Sequence, residues 1–300
     1  MEAKNEPETR PKKRSRKRIF IGLGVFVLIL VLIVLLVVPG FISSEKGRRL
    51  ILSKVNNSIP GEADFGDLSM SWFKGIKLTD LTFNDALGKI AFTAKQIDAK
   101  PHYLSIIAGN MSFGKTIVQE PTVKIDLSVP QTRRVRRSNR IVLAGQTTMP
   151  AALPIERIDL TIKNGTVGLI GKEGKSVEFS KIDSHVNLKP PGKQTDFDIN
   201  TTVQNGSEEA KLQANGSVKP AKKTGWTYTG TNGQLTVKVD KLDLESLAPL
   251  FDLAGVKIEA KGKLSANIEG AVKDGQIENL KADITGKDLD VTGEVLKSDR

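Results

Sequence analysis

Between Ile19 and Val38 the chain runs for twenty residues, IFIGLGVFVLILVLIVLLVV, without a charged side chain. As an α-helix rising 1.5 Å per residue, such a run covers roughly 30 Å, the hydrocarbon thickness of a bilayer. It predicts a transmembrane helix, because an element apolar on every side has no face to present to water. The run is longer than a secretory h-region, and Pro39-Gly40-Phe41-Ile42 offers no small-residue cleavage site, so the helix is expected to stay as an anchor. Seven basic residues from Arg10 to Arg18 precede it, against Lys46, Arg48, Arg49 and Lys54 shortly after it. That bias puts the N-terminus in the cytoplasm and the body of the chain on the far side. Lys12, Lys13, Arg14, Arg16, Lys17 and Arg18 would also meet anionic headgroups at the membrane surface.

The net charge of +11 suggests a nucleic-acid binder until it is resolved along the chain. Residues 1–18 and residues 131–150 each carry +5, which leaves +1 for everything else. The body is electrically mixed, and no nucleic-acid partner is expected. With no cysteine, disulfides and thiolate metal sites are excluded.

Beyond the anchor, Ser43 to Asn57 predicts a short amphipathic helix with Leu50, Ile51 and Val55 on one side, stopped by Pro60-Gly61. From there the apolar residues alternate with polar ones, as strands with one buried face do. The clearest runs are Ile158, Leu160, Ile162; Phe197, Ile199, Thr201, Val203; Leu235, Val237, Val239; Val256, Ile258, Ala260; and Leu264, Ala266, Ile268. Asn164-Gly165, Asn205-Gly206, Asn215-Gly216, Asn232-Gly233 and Asp274-Gly275 predict hairpin turns between such runs, since both central residues of a type I′ turn need φ > 0. Pro101 to Ala108 and Leu244 to Leu253 predict one or two helical turns that cap or cross a sheet. Residues 131–150, rich in arginine, predict a loop joining two β regions.

Few motifs carry chemistry. Gly109 to Thr116 (GNMSFGKT) satisfies the P-loop pattern, but Thr116, Ile117 and Val118 are β-branched and Pro121 would break the helix that a phosphate cradle requires. No bound nucleotide is expected. His102 and His185 lie far apart, without metal-ligand spacing, and the carboxylates are scattered. Neither an enzyme nor a cofactor is expected, because no nucleophile, metal or cofactor constellation converges.

The stretch FGDLSMSWFKGIKLTDLTFND, followed by KIAFTAKQIDAKPHYLSIIAGNMSFGKTIVQEPTVKIDL, resembles the N-terminal module of the AsmA-like family of bacterial envelope proteins. LPIERIDLTIKNGTVGL and LDLESLAPLFDLAGVKIEAKGKLSANIEG are similar to that family's later strand passages. The resemblance implies a mainly β protein, in which the transmembrane helix is followed by a long, curved, groove-like antiparallel β-sheet with a few short helices. It implies a kinship with bridge-like lipid transport proteins. The expected organisation is a basic cytoplasmic tail (1–18), a transmembrane helix (19–38), an N-terminal AsmA-like β module (43–130), a basic linker (131–150) and a second β region (151–300). The last region stops within a strand, as a fragment would.

The function expected is that of a single-pass inner-membrane protein whose periplasmic body binds, transports or organises phospholipids between inner and outer membranes. Ile158, Leu160, Ile162, Leu235, Val237, Val239, Ile258, Leu264 and Ile268 are the candidate lipid-groove residues. A continuous apolar lining is what acyl chains need, since each methylene exposed to water costs about 0.8 kcal/mol. About fifteen strands at the usual spacing would make a groove roughly 70 Å long. The alternative is a non-enzymatic envelope scaffold that docks a protein or a polysaccharide.

Overall fold

A computed structural model describes residues 36–129, 155–205, 208–223 and 226–293, together with Ile33. The predicted span lies outside the described residues except for Ile33 and residues 36–38, as do the six basic residues from Lys12 to Arg18 and the segment 131–150. Among the described residues, no helix is long and apolar enough to cross a membrane. Residues 36–42 are helical and lead directly into α1 (Glu45–Ser58), whose N-cap Ser44 Oγ accepts the Gly47 N–H at 3.2 Å.

Thirteen strands of the described chain join in one sheet. They are β1 (Gly61–Asp64), β2 (Leu68–Ser71), β3 (Gly75–Asp85), β4 (Ile90–Pro101), β5 (Met111–Gln119), β6 (Thr122–Asp126), β7 (Ile155–Ile170), β8 (Ser176–Leu188), β9 (Thr195–Asn205), β10 (Glu208–Lys219), β11 (Asn232–Asp243), β12 (Ile258–Lys273) and β13 (Gln276–Gly293). Two short helices interrupt them: α2 (Tyr103–Ile107), and α3 (Ala248–Ala254) with a 3-10 turn (Glu245–Leu247) before it. Eleven strands lie side by side along the main path, with β2 beside β3 and β6 between β4 and β7. At about 4.8 Å per strand the sheet is on the order of 50 Å across, shorter than the sequence suggests.

The sheet is mixed and not antiparallel throughout. β7 runs parallel to both β5 and β6, while every other pairing is antiparallel. Parallel neighbours need a crossover connection of a dozen or more residues, and the 28 residues between Asp126 and Ile155 supply it. The basic segment 131–150 belongs to that connection, and the β regions before and after it meet at the β5/β6–β7 seam. Period-2 alternation looks the same in parallel and antiparallel strands, so the pattern alone could not show the seam.

Only two of the five predicted turn pairs connect strands. Asp274 (φ 51°) and Gly275 (φ 84°) close the β12–β13 hairpin, and Asn205 ends β9 opposite Glu208. Asn164 (φ 52°) instead forms a bulge inside β7. Asn215 and Gly216 lie within β10, where Gly216 is needed because a Cβ would sit 2.8 Å from the Phe197 ring and 2.3 Å from the Gln234 carbonyl. Asn232 and Gly233 begin β11.

Asn164 is one of six non-glycine residues with left-handed backbone that interrupt strands: Asp80, Glu120, Asn164, Lys181, Lys241 and Asp288. The first four fall along one line across the sheet. Asp80 lies between the Thr79–Gln96 and Leu81–Ala94 pairs, beside Lys95, and Lys95 is ion-paired with Glu120. The Glu120 N–H donates to the Lys163 carbonyl at 2.8 Å, and the Asn164 N–H to Asp183 Oδ1 at 3.0 Å. Lys181 Nζ reaches Glu209 Oε1 at 2.9 Å. Beyond β9 and β10, Lys241 beside Ser265 and Asp288 opposite Gly262 mark two more register shifts, displaced along the strands from that line. A bulge bends its strand and tightens the twist, so bulges stacked in neighbouring strands bend the sheet at one height.

The buried core lies under α3. Leu169, Val177, Val203, Ala210 and Leu242 form it, with Ile125, Leu127, Phe179, Val239, Leu247 and Leu250 packed around. The cap is fastened to the far side of the core, where the Lys172 N–H donates to Asp252 Oδ2 at 2.9 Å and Lys175 faces Glu245 at 3.4 Å.

Candidate functional site

Residues opposite each other in neighbouring strands point to the same face. The register therefore traces one face across the sheet. Ile158, Leu160 and Ile162 of β7 pair with Leu188, Val186 and Ser184 of β8, and the last two pair with Phe197 and Ile199 of β9. These continue through Gly216 and Ala214 to Leu235 and Val237, then to Gly270 and Ile268 of β12 and Leu280 and Ala282 of β13. Val239 pairs with Leu212 and Ala266, and Leu264 with Leu242 across the bulge. Toward the N-terminal strands, Thr116 and Val118 pair with Leu160 and Ile162, and in turn with Ala99 and Ile97. Eight of the nine candidate residues thus share one face by direct register. Ile258 has the same parity in β12, beyond the kink at Gly262 (φ 100°).

The other face is polar over the same strands. Arg157, Asp159, His185, Asp198, Lys238 and Asn267 mark it, and His185 Nε2 lies 2.7 Å from Asp159 Oδ1. Among the described residues, α3 covers the apolar face at one end. Val203 there has no exposed surface, whereas Leu235 near the opposite end is 42% exposed, and Leu280 and Ile284 on the last strand are 61% and 59% exposed. These exposed β13 side chains were not singled out in the sequence, because ENLKADITGKDLDVTG alternates weakly. The register, and not the pattern, assigns them to the face.

No chemistry converges elsewhere among the described residues. The P-loop-like Gly114, Lys115 and Thr116 lie inside β5, where the backbone amides serve a strand ladder and cannot ring a phosphate. His102 Nδ1 is 2.8 Å from Ser112 Oγ, a local link between the start of α2 and β5. No group of three metal-ligating side chains occurs among the described residues. Trp72, in the β2–β3 turn, meets the Tyr103 ring edge-on, with centroids 4.9 Å apart at 65°, and the Tyr103 hydroxyl donates to the Ser71 carbonyl at 3.0 Å. Burial of this phenol pushes its pKa above the ordinary 10.0.

The chain matches the family described as YhdP protein over residues 11–299. No curated protein matches it.

Proposed function

Because the chain belongs to the YhdP protein family, an AsmA-like family of the bacterial envelope, we propose that it handles phospholipids along the apolar face of its sheet. The observation that carries this reading is the continuity of that face, from Ile97 and Val118 through Leu160, Val186, Ile199, Val237 and Ile268 to Ala282, with a polar face behind it. A folded sheet ordinarily buries such a face under a second layer. Here α3 covers one end, and the exposed Leu235, Leu280 and Ile284 remain open to an apolar ligand. Acyl chains lying on this surface would leave water strand by strand, while their headgroups stay wet at the margin.

In this reading the helix at Ile19–Val38 anchors the chain in the inner membrane, with the N-terminus in the cytoplasm and the sheet in the periplasm. A sheet on the order of 50 Å across organises lipid beside one membrane, or passes it to a partner, rather than bridging two membranes alone.

The test is photo-crosslinking in the membrane-embedded full chain, with a benzophenone amino acid placed at Val237 or Ile268 on the apolar face and at Lys238 or Asn267 on the polar face. Adducts of phospholipid mass at the first pair and not at the second are expected. Equal labelling of both faces, or none, overturns the reading. Protein adducts confined to the apolar face would replace it with a scaffold that docks a protein partner.

A further inference from the structure

The connections at the two ends of the strands differ in a way that the lipid face does not require. At one end lie the β2–β3 turn (72–74), α2 with its flanks (102–110), the β8–β9 turn (189–194), the β10–β11 connection (220–231) and the β12–β13 turn (274–275). Phe73, Leu104, Ile107 and Tyr228 are there, exposed by 94%, 84%, 80% and 88%, and Trp226 is half exposed. No large hydrophobic side chain in the connections at the opposite end is as exposed among the described residues, Leu253 being the most exposed of them at 51%.

The charges are also uneven. The connections of the first end carry five lysines (Lys74, Lys189, Lys193, Lys222 and Lys223) and a single carboxylate, Asp274. The connections of the other end carry four lysines and three carboxylates. Arg157, Lys189, Lys193 and Lys219 line a hollow of 520 Å³ on the polar face at the first end, where Asp196 faces Lys189 at 3.8 Å. The segment before α1 also meets the sheet here. The helical residues 36–42, which continue from the predicted span, are tied to this end by the Met70 N–H, which donates to Ser43 Oγ at 2.9 Å, and Met70 pairs with Ile76 just above the Trp72–Lys74 turn. From this point α1 runs toward the opposite end, where the Ala86 N–H donates to the Pro60 carbonyl at 3.0 Å.

Exposed aromatic and aliphatic loop tips among lysines, at the end where an anchor joins, match the chemistry of a bilayer interface. Trp and Tyr partition to the headgroup level, apolar tips enter the acyl boundary, and lysines are drawn to anionic lipid. We propose that this end of the sheet rests on the anionic surface of the bilayer that holds the anchor, with Phe73, Leu104, Ile107, Trp226 and Tyr228 in the interface. The apolar face then stands upright on the membrane, with the end opposite α3 at the lipid and the α3-capped end away from it. This inference rests on the anchored orientation of the proposed function and adds a second, reversible contact to it.

The chain has no cysteine, so Phe73→Cys, Tyr228→Cys and Leu253→Cys each carry one environment-sensitive fluorophore without further change. The full chain is reconstituted into liposomes of phosphatidylglycerol and phosphatidylcholine, with and without brominated acyl chains. A blue shift and quenching by brominated lipid are expected at positions 73 and 228 and not at 253. Both signals should weaken in liposomes of phosphatidylcholine alone, and in the K193E/K219E/K222E variant. Probes at 73 and 228 that behave like the probe at 253 overturn the docking. Flotation that survives alkaline carbonate reports the anchor separately, and lipid crosslinks at Val237 and Ile268 report the proposed function, so each idea fails on its own readout. A chain that does not float at all overturns both the anchor and the docking.

Discussion

Lys95 Nζ lies 2.8 Å from Glu120 Oε1, which ties β4 to the break between β5 and β6, where Glu120 itself adopts a left-handed backbone (φ 49°). The pair therefore sits on the line of bulges that crosses the sheet. The hydrogen bond from Lys95 to Glu120, and the carboxylate's charge, raise the lysine above its ordinary 10.5. A raised folded pKa means that the pair's contribution is fully present below 10.5 and is lost as pH rises through the folded value. Both groups are well exposed, so the contribution is small. The expected outcome is a K95M variant slightly less stable than the parent near neutrality, with the difference closing above pH 10.5, as read from urea unfolding midpoints.

Asn164 holds φ at 52° inside β7, a conformation that costs most L-residues about 1–2 kcal/mol. N164G should be neutral or mildly stabilising, while N164V should lose about that amount and more if the bulge is expelled. Urea unfolding of the two variants checks this. An N164V protein as stable as the parent would mean that the bulge is not imposed by the fold.

Val203 has no exposed surface and lies among Leu169, Val177, Ala210 and Leu242, whereas Leu235 on the same face is 42% exposed. V203A should cost about 2 kcal/mol from lost transfer energy and the cavity left behind. L235A should cost less than half of that. Lipid crosslinking should show the reverse ranking, weakened by L235A and unaffected by V203A, which separates the covered part of the face from the open part.

Tyr103 and Tyr228 are the only two tyrosines. In a Y228F chain the remaining phenol is Tyr103, whose burial raises its pKa above 10.0. Absorbance titration should give a midpoint above that value, moving toward 10.0 when urea unfolds the protein. The sign follows from linkage: the unfolded chain releases this proton first, so stability falls as pH rises above 10.0.

Much of the candidate face was legible because period-2 alternation reports which residues of one strand point together. Ile158, Leu160 and Ile162 form one such set, and Leu235, Val237 and Val239 another, but alternation does not say that the two sets share a face. That depends on register through three intervening strands, including the bulge at Lys181 that would otherwise turn β8 over. The helix at Glu45–Ser58 was also legible, though its packed side was not. Leu50 and Val55 are exposed, and the contacts to β1 and its flank come from Arg48, which donates to Asp64 Oδ1 and the Phe65 carbonyl, and from Asn56, which bonds both backbone groups of Ala63.

The Asn-Gly pairs show the same division. Their tolerance of positive φ is a property of residue type, and it predicts five hairpins. Asp274-Gly275 uses it in a turn, Asn164 in a bulge, and Asn215-Gly216 sits in flat register where the Phe197 ring occupies the space of a side chain. The β character of the body, the apolar run at Ile19–Val38 and the short helices that punctuate the strands follow from local periodicity and charge, which the residue order alone carries. The parallel seam at β7, the line of bulges and the gathering of Phe73, Leu104, Ile107 and Tyr228 at one end arise in the folded sheet. Those depend on which strands pair and in what direction, and that is settled by contacts between residues far apart in the chain.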